Sequence, residues 1–302
     1  ALSLATALEC RVEELFGASS VHESTLNWAW PVDRTPCRFW RAEIGGKRLL
    51  YPAEATTFVA LPHDGVAGAG FVQSERHDRA TETLVLASCD PAAALLASEY
   101  SHRTGLRLLV LGRASRESLR LLGDGIVHAA GVHLSKSRRR TGNARKVREQ
   151  LGAGYSLLHV ARWDEGLALG HGQTAKSVND AVASRMRWIG REPGSGARQC
   201  LDEVLQDRPS PKHIARDHRG VADAIRNGWA DAGICLRLVA EEAGLRFLSV
   251  RQESYDIVYR TAVADEPRLR ALVTVIRSPQ FRKLLSELPG YDTASTGELV
   301  ES

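Results

Sequence analysis

The residues best suited to chemistry lie together in Met186 to Leu205, MRWIGREPGSGARQCLDEVL, whose grammar is strand, glycine-rich turn, helix. Gly194, Ser195 and Gly196 let the backbone approach a ligand without Cβ hindrance, where a helix beginning near Ala197 still has unpaired N–H groups. Such a helix end favours an anion. Ser195 adds a hydroxyl donor, and Arg191 and Arg198 add guanidinium forks that suit a carboxylate or a tetrahedral oxyanion. The plainer reading of the same residues is a tight turn from strand to helix, with Ser195 as a cap and the arginines in solvent.

The elements that must position this turn alternate. From Thr83 onward the chain reads as strand, helix, strand, which argues an α/β architecture with largely parallel sheets. Thr83 to Ala87 is a buried-type strand. It is followed by Ser88-Cys89-Asp90-Pro91, where Asp90 reads as the cap of a helix over 92–101 and Pro91 as its first residue. Leu106 to Leu111 is a second strand, and Gly112-Arg113-Ala114-Ser115 introduces a helix over 116–122. A third run, Ile126 to Leu134, ends in Gly131-Val132-His133-Leu134. Each strand end presents a small or polar residue, and ligands of open α/β sheets lie outside the carboxyl ends of the strands.

Tyr155 to Ala161 is the next strand, and Arg162 to Leu167 reads as the crossing to a second lobe. That lobe holds the opening motif, a helix over 221–227, a strand around Ala232 to Cys235, and a helix over 239–243 closed by Gly244. Strands at Arg246 to Val250 and Tyr255 to Tyr259 return the chain to the first lobe. An apolar stripe predicts a helix over 267–288, which Pro279 should kink or split. The tail 289–302 is polar and turn-rich.

Ahead of residue 83 the pattern differs. Residues 18–82 form a β-rich connecting module in which Arg38 to Ile44 and Lys47 to Tyr51 flank a Gly45-Gly46 hairpin turn. Trp28, Trp30, Phe39 and Trp40 supply its small core. Residues 1–17 show helical spacing. A basic run from Lys136 to Arg148 reads as a solvated loop and helix face.

Composition narrows the function without choosing it. A net charge of +4 and a pI near 8.9 suit an anionic ligand or nucleic acid and compel neither. Five cysteines, at 10, 37, 89, 200 and 235, form no CxxC pair and no zinc-like spacing with histidine, so free thiols in a reducing compartment, no metal and no cofactor are expected. No basic-then-apolar leader opens the chain, and no apolar run nears the roughly 20 residues that span a bilayer. The expectation is a cytoplasmic protein. There is no nucleophile elbow, no helical His pair and no P-loop lysine. Cys89 at a helix start can carry a lowered pKa, but no base is identifiable for it, so a binding protein is expected rather than an enzyme.

Two resemblances join these pieces. Leu4 to Phe16 resembles the closing helices of the XRE-type helix-turn-helix domain. Gly131 to Leu134, Arg162 with Glu165 to Leu167, Arg191 to Arg198, Val221 to Ile225, Gly228 to Gly233, Glu253 to Asp256 and Leu288 to Asp292 resemble the periplasmic-binding-protein-like ligand domain found behind such modules in bacterial regulators, related to molybdate and tungstate receptors. The resemblance implies a two-lobed type II binding-protein fold over 83–302, with lobe 1 at about 83–164 plus 255–302 and lobe 2 at about 165–254. A small anion would sit between the lobes, their closure biasing an attached DNA-binding domain, with a homodimer expected. The candidate ligand-binding residues are Ser88, Arg113, Ser115, His133, Arg162, Gly194, Ser195, Gly196, Arg198 and Tyr255. Two departures leave the anion open: Ala197 stands where the family has Thr, and Ser88-Cys89-Asp90 where it has Ser-His-Asp. A transporter's solute receptor, or an enzyme of anion or molybdenum-cofactor metabolism, are the alternatives.

Overall fold

A computed structural model describes residues 2–8, 27–54, 62–68, 71–74, 78–134, 141–206 and 208–301, and the chain divides into two units, 1–84 and 85–302. In the first unit the Gly45-Gly46 pair takes positive φ at both positions, 56° and 75°. That turn folds β1 (Cys37–Ile44) antiparallel onto β2 (Lys47–Pro52). On the other edge of β1 lies β3 (Gly65–Gly68), followed by β4 (Phe71–Ser74). Phe39, Trp40 and Tyr51 are buried, with Trp28 edge-on to Phe39 at 5.9 Å and Trp30 edge-on to Tyr51 at 5.7 Å. Phe39 and Trp40 are thus the small core expected of them, with Trp28 and Trp30 partly buried at its edge. Helix α1 covers Leu2–Ala7, while 9–17 and the basic residues 135–140 fall outside the described residues.

The second unit is organised by two long strands. β8 (Tyr155–Leu169) and β12 (Arg246–Arg260) pair antiparallel along their whole length. The far end of β12 continues into β7 (Ala129–Val132), then β5 (Thr83–Ser88) and β6 (Arg107–Gly112). The far end of β8 continues into β11 (Ala232–Leu236), β9 (Trp188–Arg191) and β10 (Ile214–Ala215). Each end of the β8–β12 ribbon is therefore the inner edge of its own lobe, and the ribbon is shared by both. The ladder slips register between Ser249 and Arg251 and again between Tyr255 and Asp256. Such irregularities bend strands and re-aim side chains, and here they bracket Arg251 to Tyr255.

Helices follow the outer strands as the alternation predicts, but the sheet is mixed and not largely parallel, because the shared β8–β12 ribbon is antiparallel and pairs antiparallel with β7 and β11. Lobe 1 carries α2 (Ala93–Thr104), α3 (Ser115–Gly123) and α4 (Thr141–Leu151). Lobe 2 carries α5 (Val178–Ala183), α6 (Gly196–Leu205), α7 (His218–Arg226) and α8 (Arg237–Glu242). The lobe 2 sheet is buried on both faces: Val221, Ile225 and Val239 cover one, Ala197, Leu201 and Leu205 the other. Pro279 splits the long apolar stripe into α9 (Pro267–Arg277) and α10 (Pro279–Ser286), with Ser278 between them accepting the Phe281 N–H.

Three local expectations are corrected. The tail is not only turns: β13 (Tyr291–Asp292) and β14 (Leu299–Glu301) pair with β8. They cover an edge with backbone bonds, which needs no apolar pattern. The strands expected at 246–250 and 255–259 are one strand, because the polar residues between them lie in the ladder. The helix after Asp90 begins at Ala93, and Asp90 instead accepts the Ala92 N–H at 2.9 Å and the Tyr291 hydroxyl at 2.6 Å.

Candidate functional site

The period of two along β8 and β12 sets the floor of the site. Opposite pairs Arg251 with Glu165, Glu253 with Trp163, and Tyr255 with Ala161 put Arg251, Glu253, Tyr255, Trp163 and Glu165 on one face. All but Arg251 are essentially fully buried. Trp163 stacks on Tyr255 at 4.6 Å and meets His133 edge-on at 5.0 Å. Arg162, one residue away, belongs to the opposite face, half-buried with its Nε unpartnered among the described residues.

Lobe 1 supplies the loops after β5, β6 and β7. The Ser88 hydroxyl bonds the Tyr255 hydroxyl at 2.6 Å and accepts the Asp90 N–H at 3.0 Å. The Ser115 hydroxyl accepts the His133 N–H at 3.1 Å. His133, fully buried, bonds Glu253 Oε2 through Nδ1 at 2.7 Å and meets the Cys89 sulfur through Nε2 at 3.1 Å. The thiol that had no identifiable base in the sequence has an oriented imidazole beside it. Gly131 is required here, since a Cβ would sit 2.3 Å from the Tyr255 hydroxyl.

Lobe 2 supplies the motif that opened the sequence. Arg191 ends β9 fully buried, its Nε and Nη2 on Glu192 at 3.3 and 3.2 Å and its Nη1 unpartnered among the described residues. Ser195 is the N-cap of α6: its hydroxyl donates to the Glu192 carbonyl and accepts the Arg198 N–H. Gly194 has a φ of 88°, which glycine tolerates. Gly196 lies against His133, where a Cβ would meet the carbonyl oxygen at 2.3 Å. At the start of α7 His218 is fully buried, neither ring nitrogen has a partner among the described residues, and its ring centre is 6.0 Å from that of His133.

Two predicted residues spend their guanidinium groups elsewhere. Arg198 bonds Asp202 at 2.8 Å, the Arg191 carbonyl at 3.3 Å and Ser210 at 3.1 Å. Arg113 donates to the Gly112 carbonyl at 2.8 Å. The fold brings Ser88, Ser115, His133, Ser195, Gly196 and Tyr255 together. It adds Trp163, Glu165, His218, Arg251 and Glu253, which the sequence did not single out for the site, and Cys89 and Arg191, which the sequence named without placing them among the ligand-binding candidates. Arg191 stood in the quoted motif, and a strand-terminal arginine before a glycine-rich turn was its signal. His218 had none beyond its place after Asp217.

Charge is tightly managed. Burial and then the charge of Glu253 push Glu165 up to about 8, so at neutral pH it is a protonated acid beside Glu253. Burial also works against ionised Glu253, but the bond and charge of His133 and the charge of Arg251 outweigh it and hold Glu253 below the ordinary carboxylate range. Burial opposes a charged His133, yet the Cys89 sulfur and Glu253 hold it well above the usual histidine value. For His218, burial, Arg191 and His133 all act downward, so it is neutral. Arg251 ties the floor to the turn through Glu165 at 3.1 Å, the Gly196 carbonyl at 3.2 Å and Glu203 at 2.8 Å, besides Glu253.

Residues 97–277, more than half of the chain, match the model of the PBP superfamily domain. The chain belongs to the PBP superfamily. YvgK, an uncharacterized protein of Bacillus subtilis (strain 168), is 30% identical over 198 residues, which are 62% of this chain and 64% of YvgK. The match thus spans less than two thirds of that relative. Two solved structures share the superfamily's two-lobed α/β fold. A putative phosphate ABC transporter substrate-binding protein with bound phosphate from Clostridium perfringens aligns at a TM-score of 0.54 and 10% identity, over 73% of this chain and 99% of that one. The tungstate ABC transporter of Geobacter sulfurreducens aligns at 0.52 and 14%, over 68% and 98%. Among the described residues no helix is long and apolar enough to cross a membrane.

Proposed function

We propose that this PBP superfamily domain binds a small oxyanion between its lobes, and that occupancy holds the lobes closed. The observation that carries the reading is Arg191: a guanidinium with no exposure whose Nη1 has no partner among the described residues. An unsatisfied buried donor costs on the order of 1–3 kcal/mol, more when charged, and a ligand oxygen at that point returns it. Neutral His218 and the first-turn amides of α6 add donors that favour an anion. The two structural neighbours are named for phosphate and tungstate, both tetrahedral oxyanions, and as transport components rather than enzymes.

The setting we propose is a cytoplasmic, dimeric transcriptional regulator, in which a ligand touching both lobes biases a helix-turn-helix module. The Leu4 to Phe16 resemblance supports it. A transporter's receptor is the second reading, favoured by the neighbours' names. Retention of the gene's own upstream DNA by the full-length product, altered by the anion, supports the regulator; no retention in either state favours the receptor.

The binding step is tested by thermal shift with molybdate, tungstate, sulfate, phosphate and carboxylate metabolites, since a ligand of the native state alone raises the melting temperature. At least one anion should raise it, and Arg191→Ala should cut that anion's affinity by about 10- to 150-fold. No shift with any anion, or an unchanged shift in Arg191→Ala, overturns the reading.

A further inference from the structure

Three ligand-type side chains far apart in sequence, Cys89, His133 and His218, meet in the fold. The Cys89 sulfur and one ring nitrogen of each histidine lie within 4.8 Å of one another. From this juxtaposition we infer a binding site for a divalent transition metal of the zinc, cobalt and nickel class, held by Cys89 and His133 from lobe 1 and by His218 from lobe 2.

The chemistry of each donor agrees. His133 gives Nδ1 to Glu253 at 2.7 Å, which leaves Nε2 facing the Cys89 sulfur at 3.1 Å. A carboxylate holding one imidazole nitrogen so that the other meets a metal is the usual outer layer of such sites. His218 is buried with both nitrogens unpartnered among the described residues. A ligating imidazole has a use for one of them. Sulfur with two imidazoles selects zinc, cobalt or nickel over calcium or magnesium, which prefer oxygen.

A second cluster, His133 with Glu165 and Glu253, meets the same distance test. It is the weaker candidate because Glu253 is already engaged by His133 and Arg251. Three protein ligands leave a fourth position open. Resting here on the anion reading above, an oxygen of that anion fills it, with Arg191 on the same lobe 2 wall. Metal binding displaces to solvent the protons that the Cys89 sulfur and His133 Nε2 hold in the empty site, and ligation from both lobes makes closure depend on the ion.

The test uses the full chain, stripped with EDTA, loaded with zinc or cobalt chloride and desalted. Elemental analysis should find about one ion per chain. The cobalt form should show a thiolate charge-transfer band in the near ultraviolet that Cys89→Ser abolishes. His218→Gln should weaken zinc binding by about 10-fold or more, and Arg191→Ala should keep the metal while losing the anion shift, which separates the two readings. Circular dichroism of the metal-free variants checks their folding, and the wild-type cobalt spectrum stands without any variant. Trace metal in the wild type, no thiolate band, or unchanged binding in both ligand variants overturns the site. So does rapid, His133-dependent alkylation of Cys89 by iodoacetamide at the same rate with and without zinc, which would make the cluster a nucleophilic thiol.

Discussion

The two walls of the cleft differ in how their polar groups are spent. On the lobe 1 side Ser88 is bonded to Tyr255, Asp90 to Tyr291, and His133 to Glu253 and Cys89. On the lobe 2 side Arg191 keeps Nη1 and His218 keeps both ring nitrogens without partners among the described residues. A wall whose bonds are closed is rigid without a ligand, whereas buried donors left open raise the free energy of the closed, empty state. The open donors for an anion are thereby concentrated in lobe 2, apart from the Trp163 indole Nε1 on the floor, which also has no partner among the described residues. Lobe 1 brings its two metal-type ligands to the surface against which lobe 2 closes. Substitutions should accordingly separate into those that break closure and those that break the fold.

Two glycines test that separation most strongly. At Gly196 a Cβ would lie 2.3 Å from the His133 carbonyl oxygen and 2.4 Å from its Nδ1, a contact across the lobes. Gly196→Ala should leave the ligand-free melting temperature nearly unchanged. It should weaken anion binding by about 10- to 100-fold, the usual cost of overpacking carried into a binding equilibrium. Small-angle scattering with ligand should give a larger radius of gyration than wild type; wild-type affinity would show that the lobes do not meet there. At Gly131 the obstacle is Tyr255, on the same side of the cleft. Gly131→Ala should instead lower the ligand-free melting temperature by about 2–10 °C, and an unchanged value would mean that Tyr255 is free to move aside.

The same division explains what the sequence disclosed. Alternating strands and helices, the split at Pro279 and the Gly45-Gly46 hairpin were legible because each depends on local pattern. The floor was not. Arg162 was chosen where Trp163 and Glu165 face the cleft, and along a strand an offset of one residue exchanges the two faces. Arg251, Glu253 and Tyr255 share a face with period two, but a run of charges in a strand region reads as solvent-exposed until its cross-strand partners are known. Cys89 had no visible base because His133 is a long way off in sequence and reaches it only through the β5–β7 pairing. Arg191 and Arg198 looked equivalent in the motif. What separates them is that one ends a strand, buried, and the other stands on the first turn of a helix with Asp202 in reach.

A titration probes the floor shared by both lobes. Glu165 has a native value near 8 against an ordinary 4.5, so the native state keeps a proton that the unfolded chain gives up. Stability from this group is therefore complete below about 4.5 and is lost as pH rises to about 8. Burial, Glu253, His133 and Arg251 set the value, and the Cys200 thiol also faces it. In Glu165→Gln that slope disappears. The melting temperature of wild type minus that of the variant should fall steadily between about pH 5 and pH 8 by a few degrees. A constant difference would mean that Glu165 is ionised throughout, and that the floor carries an unbalanced buried charge.

The smallest effect expected is at Arg198. Its guanidinium pairs with Asp202 where both groups are partly exposed, and it also reaches the Arg191 carbonyl. Partly exposed pairs contribute roughly 0.2–1 kcal/mol, so Arg198→Ala should weaken anion binding no more than about fivefold, through a slightly looser seat for Arg191. The thermal shift should persist, in contrast to its loss in Arg191→Ala. A loss in Arg198→Ala as large as that in Arg191→Ala would place both guanidinium groups on the ligand and move the grip from the strand end into the helix turn. The contrast between a spent and an unspent wall would then no longer hold, because a side chain with three protein partners would have released them on binding.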